Sequence, residues 1–165
     1  MRLDLTPNAA DAANPAYVKG REILERMLIA AESHQPDKVL DFFADDAVLK
    51  HCHLPATLPT RESKRSFFQW AQKLSQKIEI AVKSFNITNE NITTTFDCTY
   101  TLDDGTEKVE YSVNIQRDPQ ASNVVPVLTI VRQNPDKLSH TTVFANLTPE
   151  NSKHLTKAGP IPTHF

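Results

Sequence analysis

The sequence predicts an α+β domain in which helices pack on one face of an antiparallel sheet. In the first half of the chain apolar residues recur at helical spacing, whereas from about residue 78 onward they alternate with polar ones. A run of helices followed by a run of strands is typical of the α+β class. The chain of 165 residues is long enough for one domain with its own core.

The first helix is predicted to begin at Pro15, which suits the first helical position, with Asn14 as its N-cap. It is expected to end near Ser33, because a proline follows three residues later. Its apolar face consists of residues at helical spacing, namely Tyr17, Leu24, Leu28 and Ala31.

A second, short helix is predicted to begin at Pro36 and to end at Asp45 and Asp46, before a strand over residues 47–53. Two prolines then mark a loop, and Thr60 is predicted to cap a third helix. The apolar stripe of that helix comprises Phe67, Ala71, Leu74 and Ile78, flanked by Phe68 and Trp70.

After Gln76 the apolar period changes to two, which predicts strands. A strand over residues 92–102 is followed by the turn Asp103-Asp104-Gly105-Thr106 and by a return strand, so these segments form a hairpin. The apolar face of the return strand carries Val109, Tyr111, Val113 and Ile115. Two further strands are expected over residues 124–131 and 141–147.

The chain shows no repeat and no change of composition, so we expect one α+β domain over residues 15–149. Residues 1–14 are expected to form a flexible N-terminus. Residues 150–165, which include two prolines, are expected to form an irregular tail.

Composition excludes several classes of function. With only 3 glycines, the chain has no Gly-rich phosphate-binding motif. A net charge of -2 gives no global attraction for nucleic acid or an anionic membrane, and no apolar run is long enough to span a bilayer. Because Cys52 and Cys98 are isolated and no signal peptide is evident, we expect reduced thiols in a cytoplasmic protein.

The order of elements and four stretches of sequence resemble the SnoaL-like family of the nuclear-transport-factor-2-like superfamily. These stretches are residues 37–49 (DKVLDFFADDAVL), 60–68 (TRESKRSFF), 103–106 (DDGT) and 137–149 (KLSHTTVFANLTP). The resemblance implies a cone-shaped curved antiparallel sheet wrapped around three N-terminal helices, with a pocket at the wide end and pairing of two copies through the sheet. Residues 51–58 (HCHLPATL) are also similar to a segment of fungal SnoaL-like enzymes that tailor meroterpenoids and polyketides, with His51 at a histidine position.

His51 and His53 are two residues apart on a predicted strand, so both side chains are expected on one face. If that face is concave, two imidazoles enter the pocket as candidate catalytic groups that move a proton. The alternative is a pair of solvated histidines at an exposed strand end.

Other candidate residues would bind a substrate. Tyr100 and Tyr111 lie on the apolar faces of the two hairpin strands, where their hydroxyls would hydrogen-bond either a ligand or the backbone. Tyr17, Trp70, Phe144 and Asn146 are further substrate-binding candidates. Asp97 and Glu110 fall on the opposite face, which predicts contact with solvent or a second copy.

The last strand raises the main doubt about catalysis. The resemblance places acidic residues there in active relatives, whereas this chain has Val143 and Asn146 at those positions. An amide can bind a polar group but cannot act as a base. Either a histidine transfers the proton or the protein only binds.

The leading hypothesis is therefore an isomerase, cyclase or dehydratase that acts by general acid/base chemistry on a small hydrophobic, secondary-metabolite-like molecule. No metal or other cofactor is expected, because no third ligand accompanies the histidine pair. Two alternatives stay open. One is a non-catalytic ligand-binding or dimeric adaptor of the same fold, and the other is a protein-interaction module that exposes a large apolar patch.

Overall fold

The computed structural model describes residues 9–88, 90–117 and 138–165, in which a five-stranded sheet packs against helices. The helices are α1 (Ala9–Ala12), α2 (Pro15–Glu32), α3 (Pro36–Leu40) and α4 (Arg61–Gln72). The strands are β1 (Leu49–His51), β2 (Lys77–Ile87), β3 (Asn91–Leu102), β4 (Gly105–Arg117) and β5 (Leu138–Ala145). The predicted strand over residues 124–131 lies outside the described residues.

The two long helices begin where their capping residues predict. Asn14 Oδ1 accepts a hydrogen bond from the Ala16 amide at 3.1 Å, and Pro15 occupies the first position of α2. Thr60 Oγ1 accepts one from the Ser63 amide at 3.2 Å at the start of α4. Among the described helices, none is long and apolar enough to cross a membrane.

The sheet has the order β1-β5-β4-β3-β2, and its hairpin strands pair antiparallel. β1 is the exception, since it pairs parallel with β5 from Leu49 opposite Thr141 to His51 opposite Val143. The sheet is therefore mixed, whereas the sequence predicted an antiparallel one. Most of the domain separates β1 from β5 in sequence, so no tight turn forces them to run in opposite directions.

The sheet is curved, and its concave face carries the apolar side chains. Register shifts between Val82 and Ser84 in β2 and between Ile115 and Arg117 in β4 bend the strands locally. Strict alternation in β4 buries every second residue against the helices. The predicted α+β fold is confirmed, with its helices on the concave face.

The two ends of the described chain contain short helical turns. α1 lies within the N-terminal segment that the sequence predicted to be flexible. In the C-terminal segment, residues Lys153–Thr156 form a single 3₁₀ turn that buries His154 and Leu155. This segment is otherwise irregular but packs against the domain.

The first turns of α2 approach the sheet closely at Gly20. Arg117 Nη1 donates to the carbonyl of Ala16 at 2.8 Å and to that of Thr88 at 3.0 Å, which ties α2 to the end of β2. A Cβ added at Gly20 would lie 2.4 Å from Ile87 Cγ2 and 3.1 Å from Arg117 Nη1. Glycine is therefore required here because a larger side chain would clash with Ile87 and Arg117, and not because of its backbone conformation.

Gly20→Ala is expected to lower the free energy of unfolding by up to about 2 kcal/mol, because an overpacking cost of about 1–3 kcal/mol outweighs the gain in helix propensity of about 1 kcal/mol. Denaturant unfolding measures the change. Val18→Ala, at an exposed position two residues earlier, is the control and should shift stability by less than about 0.5 kcal/mol. A Gly20→Ala variant more stable than the wild type would contradict the close contact.

Candidate active site

A cavity of about 220 Å³ lies between the concave face of the sheet and helices α2, α3 and α4. Its wall is mainly apolar, and residues such as Met27, Val39, Phe67, Phe96, Val113 and Val143 line it. Among the described lining residues there is no Asp, Glu, Lys or Arg. Exposed Gln35 and Gln72, with His34 between the helices, lie at its opening. The cavity suits an uncharged apolar molecule.

His51 lines this cavity from the last position of β1. Its ring packs 5.5 Å from the ring of Phe67 and 5.5 Å, edge-on, from that of Tyr111. Burial, helped by the neighbouring His154 imidazole, lowers the pKa of His51 to about 4. Its Nδ1 is buried without a hydrogen-bond partner among the described residues. The imidazole is therefore neutral at pH 7 and has an unused polar atom.

The structure does not bring His53 to the same face. β1 ends at His51, and Cys52 has a left-handed φ of 52° that turns the chain. The Cys52 amide still donates to the Val143 carbonyl at 2.7 Å, but His53 beyond the turn is exposed. The expectation of two paired imidazoles fails because the strand is shorter than the sequence predicted.

Tyr100 and Tyr111 face the cavity together, as the hairpin alternation predicted. Their hydroxyl oxygens are 2.6 Å apart, which is a hydrogen bond in which either can donate. Burial raises the pKa of both phenols above the ordinary value, so both stay protonated. The mutual bond uses one of the two hydroxyl hydrogens, and the Cys98 thiol beside Tyr100 is a protein acceptor for the other.

A buried carboxylate–imidazole pair supports this tyrosine pair from behind. Glu107 accepts from the His154 amide at 3.1 Å through Oε2 and lies 2.6 Å from His154 Nδ1 through Oε1. The His154 ring stacks on Tyr100 with centroids 4.1 Å apart and planes 10° apart. Burial lowers the pKa of His154, although Glu107 acts in the opposite direction. The pair anchors the C-terminal segment beneath the cavity.

Sequence reasoning missed this pair, although β4 contained a signal. Glu107 has the same parity as Val109 and Tyr111, so alternation places a carboxylate on the buried face. A buried carboxylate requires a partner. Its partner, His154, comes from the tail, whose position the sequence does not indicate.

Trp70 lines the cavity, as predicted, and packs beside Phe67 with ring centroids 6.3 Å apart. Phe165 covers both rings from outside, at 5.1 Å from Phe67 and 5.7 Å from Trp70, and its carbonyl oxygen accepts from Ser63 Oγ at 2.9 Å. The Nε1 of Trp70 is buried without a hydrogen-bond partner among the described residues.

The other substrate-binding candidates lie outside the described lining of the cavity. Tyr17 is buried on α2 and packs 6.4 Å from the ring of Phe85. Phe144 is 59% exposed, because alternation in β5 turns Val143 inward and Phe144 outward. Asn146 follows the end of β5 and is exposed.

Two acidic residues that were assigned to the outer face pair with lysines. Asp97 lies 3.0 Å from Lys108, and Glu110 contacts Lys83. Neither lines the cavity, which agrees with the predicted alternation.

Other reactive groups near the cavity are held in unreactive states. Lys64 is buried, and its Nζ donates to the carbonyls of Asp45, Ala47 and Thr60, the last two at 3.1 and 2.9 Å. Cys98 lines the cavity, and burial raises the pKa of its thiol to about 12. Among the described residues around the cavity, neither an amine nucleophile nor a thiolate is therefore available.

The neutral state of half-buried His51 predicts a pH dependence of stability. Its folded pKa is below the unfolded value, so the unfolded chain takes up the proton first as pH falls. The stability that depends on this lowered pKa is fully present above about pH 6.5. It decreases by about 3 kcal/mol as pH falls towards 4. The difference in unfolding free energy between the wild type and His51→Phe should therefore change by about this amount between pH 7 and pH 4. Val143→Ala, at the same wall, should follow the wild-type slope, whereas equal slopes for His51→Phe would contradict burial of the ring.

Glu107→Leu is expected to lower the free energy of unfolding by about 2–4 kcal/mol, because it leaves two buried donors of His154 without an acceptor. Hydrogen exchange of the His154 amide should accelerate at the same time. Lys157→Ala is the control, since it removes only the surface contacts with Asp103 and Asp104 and should cost less than about 1 kcal/mol. An unchanged His154 amide in Glu107→Leu would contradict the anchoring role.

Solved structures with the same fold are similar to this chain at low sequence identity. A putative SnoaL-like polyketide cyclase from Jannaschia sp. CCS1 superposes with a TM-score of 0.64 at 10% identity, covering 89% of this chain and 96% of that one. The pinacolase BvnE from Penicillium brevicompactum gives a TM-score of 0.63 at 12% identity, covering 86% and 92%. SalBIII, an epoxide hydrolase/cyclase-like enzyme in pyran ring formation in the polyether salinomycin, gives 0.61 at 12% identity, covering 79% and 92%.

No protein-family model matches the sequence, and neither does any curated protein. The likeness thus resides in the order and packing of the elements. The curved sheet and the helices on its concave face match the architecture of solved structures that are covered almost completely. The chain has the fold shared by SnoaL-like and nuclear-transport-factor-2-like proteins.

Proposed function

We propose that the chain is an isomerase, cyclase or dehydratase that transforms a small, hydrophobic, secondary-metabolite-like molecule by cofactor-free general acid/base chemistry. The observation that carries the proposal is the neutral imidazole of His51, whose Nδ1 has no hydrogen-bond partner among the described residues, in an apolar cavity beside the hydrogen-bonded Tyr100 and Tyr111. Three similar folds belong to proteins described as a polyketide cyclase, a pinacolase and an epoxide hydrolase/cyclase-like enzyme, which supports this class of reaction.

In this proposal His51 is the base. It is neutral at pH 7, so it accepts a proton from the carbon next to a substrate carbonyl without losing one first. A base with a pKa of about 4 is weak, but the imidazolium that it forms is a correspondingly strong acid. It returns the proton to another carbon, which isomerises the substrate, or to a departing hydroxyl, which leaves as water.

The tyrosine pair compensates for the weakness of that base. When His51 removes the proton, negative charge develops on the carbonyl oxygen. The other hydroxyl hydrogen of the pair turns from the Cys98 thiol, a weak acceptor, to this oxygen, and in an apolar cavity such a bond is strong. Because burial keeps both phenols protonated, the donor persists across the physiological pH range.

A binding protein without catalytic activity is the second candidate, and one observation favours it. The described lining of the cavity contains no carboxylate, and the last strand presents Val143 there. If proton transfer requires an acid on that strand, the cavity would only hold its ligand. The same site thus supports both functions, and they differ in whether a bound molecule is transformed.

The outer face of the sheet, with Phe144 exposed among polar side chains, is where we expect two copies to pair. That homodimer stays a prediction, and the proposed chemistry uses residues of one chain.

Proton transfer by His51 can be tested before the substrate is known. Cyclic ketones that bind should exchange hydrogen for deuterium at the carbon next to the carbonyl in D2O, at least about 100-fold faster than in buffer. Proton NMR measures the loss of signal. His51→Phe should reduce the rate to the buffer value, and Tyr111→Phe should reduce it about 100-fold.

His53→Gln is the matched control, since it changes a histidine two residues away that does not reach the described cavity lining. It should keep the wild-type rate. Ketones that demonstrably bind in the cavity but exchange no faster than in buffer would reject the enzyme and leave the binding protein. Equal rates in the wild type and His51→Phe would remove His51 from the mechanism.

A further inference from the structure

Trp70 has an indole N–H group that nothing in the described structure satisfies. The side chain lies on the cavity wall and is 8% exposed, and its Nε1 is buried without an acceptor. An indole nitrogen can donate but cannot accept. A buried donor without an acceptor costs about 1–3 kcal/mol, so an acceptor supplied by a ligand would be strongly favoured there.

The second unsatisfied atom of the cavity, His51 Nδ1, lies close to the same aromatic ring. His51 and Trp70 both pack against Phe67, with ring centroids 5.5 and 6.3 Å from it. Nδ1 of a neutral imidazole donates or accepts according to its tautomer. The two side chains with unsatisfied atoms therefore pack on one aromatic ring of the cavity wall.

The rest of the wall restricts the chemical class of that molecule. The described lining has no charged side chain to neutralise an ionised ligand, and burying an unpaired charge is costly. The volume of about 220 Å³ is larger than an engineered apolar cavity of about 150 Å³ that binds benzene. A molecule of one or two rings fits this space.

We propose that the Trp70 indole N–H selects uncharged one- or two-ring ligands with a carbonyl or ether oxygen. The inference rests on the proposed function for the location of the site and adds the group that recognises the substrate. Trp70 is a binding residue in this proposal, and His51 stays the catalytic base.

The chain offers a direct probe, because Trp70 is its one tryptophan. A ¹⁵N-labelled sample gives a single indole signal. The ketone 1-tetralone should shift the indole proton downfield as the hydrogen bond forms. Tetralin has the same two rings without the oxygen and should bind without that shift. The carboxylate 1,2,3,4-tetrahydro-1-naphthoate should not bind.

Trp70→Phe separates the hydrogen bond from the packing. The variant keeps an aromatic ring against Phe67 and Phe165 but lacks the N–H group. The affinity for 1-tetralone relative to tetralin should fall about three- to tenfold, the value of one net hydrogen bond. Phe68→Leu, a wall variant that leaves the indole intact, should keep the wild-type ratio.

Equal affinity for the ketone and the hydrocarbon, no binding of either, or an indole signal that moves identically with both would overturn the proposal. If Trp70→Phe does not fold, the indole proton shift of the wild type with 1-tetralone and with tetralin tests the proposal without the variant. The deuterium-exchange assay tests proton transfer by His51 independently of ligand selectivity. A ketone-selective cavity without exchange keeps this inference and rejects catalysis, whereas exchange without ketone selectivity keeps catalysis and rejects the role of Trp70.

Discussion

The site depends on the parallel pairing of β1 with β5. β1 has only three residues, and β5 places them beside Thr141, Thr142 and Val143. Its other edge is held by Thr57, whose hydroxyl accepts from the Leu49 amide at 2.9 Å and whose amide donates to the Leu49 carbonyl at 2.9 Å. Lys64 binds the carbonyls of the preceding turn. This short strand ends at His51, so its fixation sets the position of the imidazole.

Burial then determines the chemistry of the groups around the cavity. The same removal from water makes His51 neutral, keeps the tyrosines protonated and makes Cys98 unreactive. The one described carboxylate close beneath the tyrosines, Glu107, is already bonded to His154. The described lining of the cavity therefore combines hydrogen-bond donors and two imidazoles, His51 inside and His34 at the opening, with an apolar wall. Such an arrangement suits the transfer of a proton on an uncharged molecule and does not suit recognition of ions.

The sequence predicted much of the fold because its signals are local. Each signal needs only a few residues, as in the capping at Asn14 and Thr60. Alternation along β3 and β4 places Tyr100 and Tyr111 correctly. The failures involve contacts that are distant in sequence. The parallel edge strand, the turn at Cys52 that separates His53 from His51, and the tail residue His154 beneath Tyr100 depend on tertiary packing. Phe144 was misplaced for a simpler reason, since its parity in β5 already pointed outward.

The proposed chemistry requires a half-buried, neutral His51 that lines the cavity. NMR titration of the imidazole signals tests it most directly, with the His51 signal assigned by its absence in His51→Phe. The account predicts a midpoint near pH 4, so that the ring is neutral from about pH 5 upward. A His51 midpoint at or above the ordinary value of about 6.5 would contradict it, because the ring would then be solvated or paired with an acid.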